Sequence, residues 1–533
     1  MLKKTFTFCL FIFISSQLTA QSIYQPYSYQ FYQKLNSTVY STKYRIHTAV
    51  KPYLVDDSLL VHAYDSLINL QVDTARKGWI LKKLFDQHLF ELKGNNYTFY
   101  ADVLPDFQIG HDQSARTPTW LNTRGFQFGV TIGKNFSLYT SGYENQALFP
   151  EYVNNYISSS GIIPGQANKG RGRKISDWAY TSAIVSYTPS KYLNIAIAYD
   201  KNFIGDGYRS MLLSDVSANY TSLKLTGTLG NVKYMSMWSY MIDPLAPKLA
   251  PDRGTGDRHK WGAFQYLDWN INKRASIGLF QSILWPQSGQ GGRRGFDMNY
   301  MNPIIFLRSI ELANTTSPDK KHFGFNGKYK LLNNLSIYGQ FLLSEFTAKE
   351  FFSNKGYWAN KWGAQLGFRG FDAFGIKRLN YLAEYNLARP YTYAHFEEIT
   401  SYSNYGQALA HPFGANFREL ASIWNYSAGR FDFSGQGNYG RYGLDADGEN
   451  YGKNIFAPYG TRQADYGNNI GQGISTSLYY LDGRISYLMN PKYNLRIELG
   501  GIYRNEKNAQ MNHKTSLVIL GLRSSFRNLY YDF

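Results

Sequence analysis

The 533-residue chain carries 56 Lys and Arg against 38 Asp and Glu, a formal net charge of +18, and holds 46 Tyr, 35 Phe and 10 Trp beside 48 Gly. Its one cysteine, Cys9, lies in an N-terminal apolar run, which excludes a disulfide framework, a thiolate metal site and a cysteine nucleophile from the remainder. The charge calls for anionic neighbours, and the export signal described next makes nucleic acid the least fitting of them.

Met1-Leu2-Lys3-Lys4 precedes an almost wholly apolar stretch from Thr5 to Ile14, and Leu18-Thr19-Ala20 supplies a small-residue end. This predicts a secretory signal peptide over 1–20, cut between Ala20 and Gln21. Loss of Lys3 and Lys4 takes the charge from +18 to +16. The run is too short to cross a bilayer as a helix, and no later segment offers the roughly 18 consecutive apolar residues that a helical span needs. An exported chain of this kind is either a soluble protein or a membrane barrel. Aromatic girdles, glycine within strands and a polar lumen favour the barrel.

Residues 21–94 carry the best helical pattern. Leu81, Leu84, Phe85, His88, Leu89 and Leu92 form one apolar stripe at i, i+3, i+4, i+7, i+8 and i+11, with Asp73 or Thr74 as the starting cap and Gly94 as the stop. The segment is predicted to be a helical periplasmic plug. His88 lies on the stripe and is expected to be packed rather than to bind a ligand.

From about residue 96 the period becomes two. Leu193, Ile195, Ile197 and Tyr199 alternate with Asn194, Ala196, Ala198 and Asp200. Trp362, Ala364, Leu366 and Phe368 alternate with Gly363, Gln365, Gly367 and Arg369. A lipid face and a lumen face alternate in this way. Eighteen such runs are read between 96–108 and 515–527, or sixteen if one strand has been split. Tight turns such as Gly133-Lys134-Asn135, Gly230-Asn231 and Asn490-Pro491 alternate with long connections at 149–174, 244–258, 287–321, 347–359, 389–415 and 444–472. The expectation is an all-β, antiparallel up-and-down transmembrane barrel over 95–533, with both ends periplasmic and long loops at the cell surface. The tail Leu529-Tyr530-Tyr531-Asp532-Phe533 reads as the aromatic end of the last strand.

Three stretches carry a resemblance. Asn202 to Ser214, containing Gly205-Asp206-Gly207-Tyr208-Arg209-Ser210, resembles the "G-D-G-x-R-S-x-x-x-S" stretch of the Wzi-like capsule-assembly outer-membrane proteins. Tyr300 to Arg308, with Glu311, is similar to that family's "N-P-x-x-F-x-R-x-x-E" segment, although Ser309-Ile310 stands where Pro-Val is expected. Arg389-Pro390-Tyr391-Thr392-Tyr393-Ala394-His395, with Leu409 to Asn416, looks like the branch of gliding bacteria called RemB, and the tail fits it too. The resemblance implies an eighteen-stranded barrel blocked by periplasmic helices. It also implies a surface lectin for capsular polysaccharide or, for the RemB branch, a surface protein linked to gliding.

Sugar sites pair aromatic faces with forked donors and carboxylates, and Arg suits the carboxylate or phosphate of an acidic glycan. The candidate polysaccharide-binding residues are Arg209, Arg293, Arg294, Asp297, Arg308, Glu311, Arg389, Tyr391, Tyr393, His395 and His411. The competing reading is that long loops fold inward and pack on these same aromatics and Arg–Glu pairs. The cluster Lys169, Arg171, Arg173 and Lys174 reads as a solvated loop or an anion contact. Arg496, Glu498, Arg504, Arg523 and Arg527 face the lumen by parity, either lining a pore or closing it.

Enzyme signatures such as H-E-x-x-H and G-x-S-x-G are missing, and His395 with Glu397 and Glu398 makes a thin acid–base case. No cofactor or metal is expected. Expected partners are the outer membrane with its lipopolysaccharide, anionic capsular or exopolysaccharide, and other outer-membrane motility or secretion proteins. The alternatives are a transport channel, a structural subunit of a larger outer-membrane machine, and a hydrolase using loop carboxylates.

Overall fold

The computed structural model describes residues 23, 24, 26–55, 58–168, 175–247, 256–289, 291–307, 319–353 and 355–533. The expected signal peptide and the basic cluster at 169–174 lie outside the described residues. The period-two runs form eighteen long antiparallel strands that close into one barrel. They are β1 Tyr97–Asp112, β2 Thr117–Ile132, β3 Phe136–Leu148, β4 Ser176–Ser190, β5 Leu193–Asp200, β6 Tyr220–Leu229, β7 Val232–Asp243, β8 Arg258–Asn270 and β9 Ala275–Pro286, then β10 Lys320–Leu332, β11 Leu335–Glu345, β12 Lys361–Gly370, β13 Leu379–Ala388, β14 Phe417–Ala428, β15 Phe431–Leu444, β16 Ile474–Asn490, β17 Leu495–Lys507 and β18 Asn512–Ser524. Each pairs with its neighbour in the chain, and β18 closes on β1 from Leu517↔Asp112 to Arg523↔Asp106. Parity behaves as the sequence requires. In β12, Leu366 and Phe368 are exposed on the outer face, while Gln365 and Arg369 are buried inside.

One end of the barrel carries the tight turns and the other the long loops. The lumen is filled from both. From the short-turn end, residues 26–55 enter as a plug rich in tyrosine. Arg369 of β12 donates to Asn36 Oδ1 at 2.8 Å and to the Tyr40 hydroxyl at 3.0 Å, and Lys330 of β10 donates to Ser41 O at 2.6 Å. From the long-loop end, residues 201–219 fold inward, all buried, and meet the plug where Phe203–Ile204 pairs with Val50–Lys51. Residues 389–416 lie above them. Tyr393 donates to Met211 O at 2.9 Å, and Ser214 N donates to Leu409 O at 2.7 Å. Around them Met211, Leu212, Leu213, Phe264, Phe280 and Tyr402 form an apolar core inside the barrel.

Four features depart from the sequence expectation. The helix is Trp79–Phe85 and stops at Asp86, rather than reaching Gly94. Beyond it Phe90–Lys93 is a short strand, paired with β1 from Phe90↔Ala101 to Lys93↔Thr98. β18 stops short of this part of β1, so Phe90–Lys93 satisfies backbone groups that would otherwise form a bare edge. His88 is packed, its Nδ1 2.7 Å from Asp102 Oδ2.

Next, β5 ends at Asp200 and not near 205, because residues 201–219 leave the wall to enter the lumen. The C-terminal aromatics also do not complete a strand. β18 ends at Ser524, and residues 525–533 turn into the lumen. There Asn528 accepts from Tyr29 N of the plug at 2.7 Å, and Tyr530 donates to Asp215 at 2.8 Å. Arg504 of β17 donates to Phe533 O at 2.9 Å.

Last, the loop after β9 lies on the outer wall and not over the mouth. Trp238, Gln265 and Gln281 face outward on β7, β8 and β9. Trp238 donates to Tyr300 O at 2.8 Å, Gln265 donates to Asn302 O at 2.7 Å, and Gln281 accepts from Phe306 N at 2.8 Å. Polar groups on a lipid-side wall need such partners.

Candidate functional site

At the long-loop end three connections meet, 346–360, 389–416 and 445–473. Backbone bonds join them: Trp358 N to Asp465 O at 2.9 Å, Tyr391 N to Gly452 O at 3.0 Å, and Tyr459 N to His395 O at 3.3 Å. Arg389 Nη2 bridges two of the loops through Tyr357 O at 3.3 Å and Asn468 O at 3.2 Å. Tyr391, Tyr393 and Tyr405 take φ values of +63°, +75° and +56°. Such backbone costs about 1–3 kcal/mol for a residue that is not glycine and persists only where the surroundings over-determine it. Here the Tyr391 hydroxyl donates to Asn450 O at 2.8 Å and holds its turn.

The outer layer of this junction is aromatic. Trp358 and Tyr459 lie with ring centroids 4.9 Å apart, and Tyr357 and Tyr466 at 5.3 Å. The Arg462 guanidinium sits 4.0 Å over the Trp358 ring and pairs with Asp465 at 2.6 Å. Beneath, Lys361 Nζ lies 3.5 Å from the Tyr459 centroid and 2.8 Å from Glu345, which also binds Lys320. Tyr357, Trp358 and Tyr459 are half-buried, whereas Tyr466 and Phe396 are exposed. The result is a partly open aromatic platform with one forked cation and one carboxylate at its edge. Its chemistry suits the C–H face of a sugar ring and an acidic substituent. The neighbouring part of loop 445–473 borders a cavity of about 580 Å³ lined by Tyr156, Phe413, Lys453, Phe456, Arg504 and Phe533.

The sequence candidates divide around this platform. Arg389, Tyr391 and His395 support it from below. His395 is buried, with Nδ1 2.5 Å from Thr400 Oγ1, and burial together with Lys320 lowers its pKa to about 2. Arg209, Tyr393 and His411 lie deeper. Arg209 is buried with Nη2 at 2.9 Å from Glu419 Oε1 and 2.8 Å from Asp532 Oδ2, and His411 Nε2 is 2.6 Å from Glu419 Oε2. A surface ligand does not reach these three, because their polar atoms are already engaged inside the barrel. They hold the inward loops and the C-terminal tail together.

Arg293, Arg294 and Asp297 belong to the loop on the outer wall. Arg294 pairs with Asp319 at 2.5 Å and with Asp297 at 2.9 Å, Asp297 also caps the turn Met298–Met301, and Arg293 is exposed. The structure therefore does not bring these three together with Arg389 and His395. Arg308 and Glu311 lie outside the described residues. Trp358, Tyr459 and Arg462 escaped the sequence reading. Gly356-Tyr357-Trp358 and Tyr459-Gly460-Thr461-Arg462 were aromatic signals within connections treated only as connections. Of the lumen residues, Arg523 pairs with Asp106 at 3.0 Å and Glu498 at 2.7 Å, Arg484 with Glu498 at 2.8 Å, and Arg496 with Glu498 at 3.0 Å. They form a paired network, not a row of free charges.

No family model matches the chain, and no curated protein matches it. Among solved structures it is similar to Wzi, an outer-membrane protein involved in group 1 capsule assembly in Escherichia coli and a carbohydrate-binding β-barrel. That match has 12% identity and a TM-score of 0.57, covering 95% of this chain and all of that one. A weaker likeness is to OprD of Pseudomonas aeruginosa, with 8% identity and a TM-score of 0.43 over 80% of this chain and 94% of that one. At 12% identity the likeness to Wzi shows the fold alone, a Wzi-like outer-membrane type of barrel.

Proposed function

We propose that this protein is a closed outer-membrane barrel whose long-loop face binds an anionic capsular or exopolysaccharide at the cell surface. The observation that carries the reading is the filled lumen beneath an aromatic platform. Plug, inward loops and C-terminal tail occupy the interior, while Trp358, Tyr459 and Arg462 face the loop end. The carbohydrate binding of the structurally similar Wzi supports it. Binding, rather than catalysis, is the role the platform suits. The RemB-like stretches at 389–395 and 409–416 extend the proposal to a link with gliding motility, in contact with other outer-membrane proteins and with lipopolysaccharide around the wall.

Two measurements test it. The purified chain in a planar bilayer is expected to carry no steady current; a large one restores the channel reading. Replacing Trp358 and Arg462 by alanine is expected to weaken binding of an acidic exopolysaccharide about tenfold, the equivalent of one aromatic contact to a sugar ring and one exposed charge pair to its acidic substituent together. Unchanged affinity removes the platform from the site. A deletion strain, scored for capsule retention and for surface motility, separates the two cellular roles.

A further inference from the structure

The short-turn rim carries an apolar surface that packing does not use. On the helix Trp79–Phe85, Trp79 is 68% exposed, Ile80 70% and Leu81 47%. The other side of the helix is fixed. Leu84 packs against the buried cluster that includes Tyr493 and Leu495. The carbonyl of Lys83 accepts from Asn490 Nδ2 at 2.9 Å and from the Tyr493 hydroxyl at 3.1 Å. That of Gln87, just beyond the helix, also accepts from Asn490 at 2.9 Å. The helix is thus clamped to the turn between β16 and β17 with three large apolar side chains pointing away from the protein. Lys77 and Lys82 flank them, while the Lys83 ammonium is turned to His88 O at 2.9 Å.

This surface runs into the lipid-side wall. Phe90 pairs with Ala101 and Leu92 with Phe99, so both share the outer face of β1, and both are exposed. The Phe90 and Phe99 rings are 5.8 Å apart, and Phe99 and Phe128 are 6.5 Å apart. The apolar belt of the barrel therefore continues along Phe90–Lys93 toward the helix at the rim. A Trp at the edge of a bilayer prefers the headgroup level, and lysines beside it extend their ammonium groups to lipid phosphates while their stems stay apolar.

We propose that residues 77–93 are an interfacial anchor, with Trp79, Ile80 and Leu81 lying in the headgroup–acyl boundary of the leaflet at the short-turn end. The partner is phospholipid, committed to by the continuity of this patch with the wall. The anchor fixes the plug to the membrane from outside the barrel, while Tyr40, Ser41 and Lys51 fix it from within. It rests on the reading that the wall spans a bilayer, and not on the sugar site.

The test uses the full chain lacking Cys9, carrying Ile80→Cys labelled with an environment-sensitive fluorophore and reconstituted in phosphatidylcholine vesicles with or without brominated acyl chains. A second chain with Leu366→Cys, 65% exposed on the outer wall, reports insertion of the barrel itself. The expected result is blue-shifted emission at position 80, quenched by the brominated lipid, as at position 366. Quenching at 366 with a water-like, unquenched signal at 80 overturns the anchor and leaves the barrel standing. Loss of quenching at both positions overturns the spanning wall, and the anchor with it. Both sites are exposed, so the label displaces no packed atom, and heat-modifiable mobility on gels confirms that each variant is folded.

Discussion

Replacing Arg209 by alanine lowers the stability of the folded barrel by about 3–5 kcal/mol, the cost of leaving buried carboxylates without their cation. Arg209 binds Glu419 and Asp532 together at 2.9 and 2.8 Å, and all three are buried. The effect spreads because each partner belongs to a different segment. Glu419 lies on β14 and Asp532 in the C-terminal tail, while Arg209 N donates to Glu384 of β13 at 2.9 Å. Urea unfolding of the refolded chain measures the loss. Arg209→Lys keeps the charge but loses the fork that reaches both carboxylates, so it falls short of wild type. Neutralising the partners as well, in Arg209→Met with Glu419→Gln and Asp532→Asn, recovers part of the deficit, because no uncompensated charge then remains at the cluster. If Arg209→Ala unfolds at the wild-type urea concentration, this cluster does not hold the tail and loops.

The wall was legible in the sequence because each strand has one face toward lipid and one toward a polar interior, and that difference repeats every second residue. Residues 81–92 misled because Leu81, Leu84 and Phe85 fit a helical stripe while Phe90-Glu91-Leu92-Lys93 fits a strand. The strand wins where β18 stops and β1 needs a partner. The tail misled for a similar reason. Tyr530 and Asp532 alternate with their neighbours as a strand would, yet their polar atoms are matched to Asp215 and Arg209 rather than to a sheet edge. The site was harder still. A loop rich in Tyr, Arg and His has the same composition whether it lies over the mouth, inside it or on the outer wall. Tyr393, Arg389 and Arg294 take three different fates: the first is buried in the lumen, the second braces the surface junction and the third pairs with Asp297 and Asp319 in a loop outside the barrel. Only long-range partners, Met211 for Tyr393 and Asp319 for Arg294, distinguish them. Trp358 and Tyr459 are far apart in sequence and become neighbours only when two loops meet.

Acidification from pH 6.5 to 5 is expected to destabilise the loop 389–416, by about 2 kcal/mol for each of its two buried histidines. Burial lowers the His411 pKa to about 4; Glu419 beside it pulls upward, but its charge is already shared with Arg209. Burial, with Lys320 second, lowers that of His395 to about 2. Below the unfolded value of about 6.5 the unfolded chain takes up protons that the folded loop refuses. Stability is therefore complete above that pH and falls with it, until the folded pKa is reached. Glu398 works in the opposite sense. Burial, with Asp243 second, pushes its carboxyl up to about 7, so protonation relieves a cost in the folded state and offsets part of the loss. Thermal unfolding of wild type and of the Glu398→Gln, His395→Gln and His411→Gln variants between pH 8 and 5 separates these contributions. The slope is expected to steepen in the first variant and to flatten in the other two. A flat profile in Glu398→Gln contradicts two buried neutral histidines. The wall strands pair with their chain neighbours all round the barrel and hold their shape while the loop opens, so the proposed glycan binding at Trp358 and Tyr459 is expected to weaken in acid before the barrel itself unfolds.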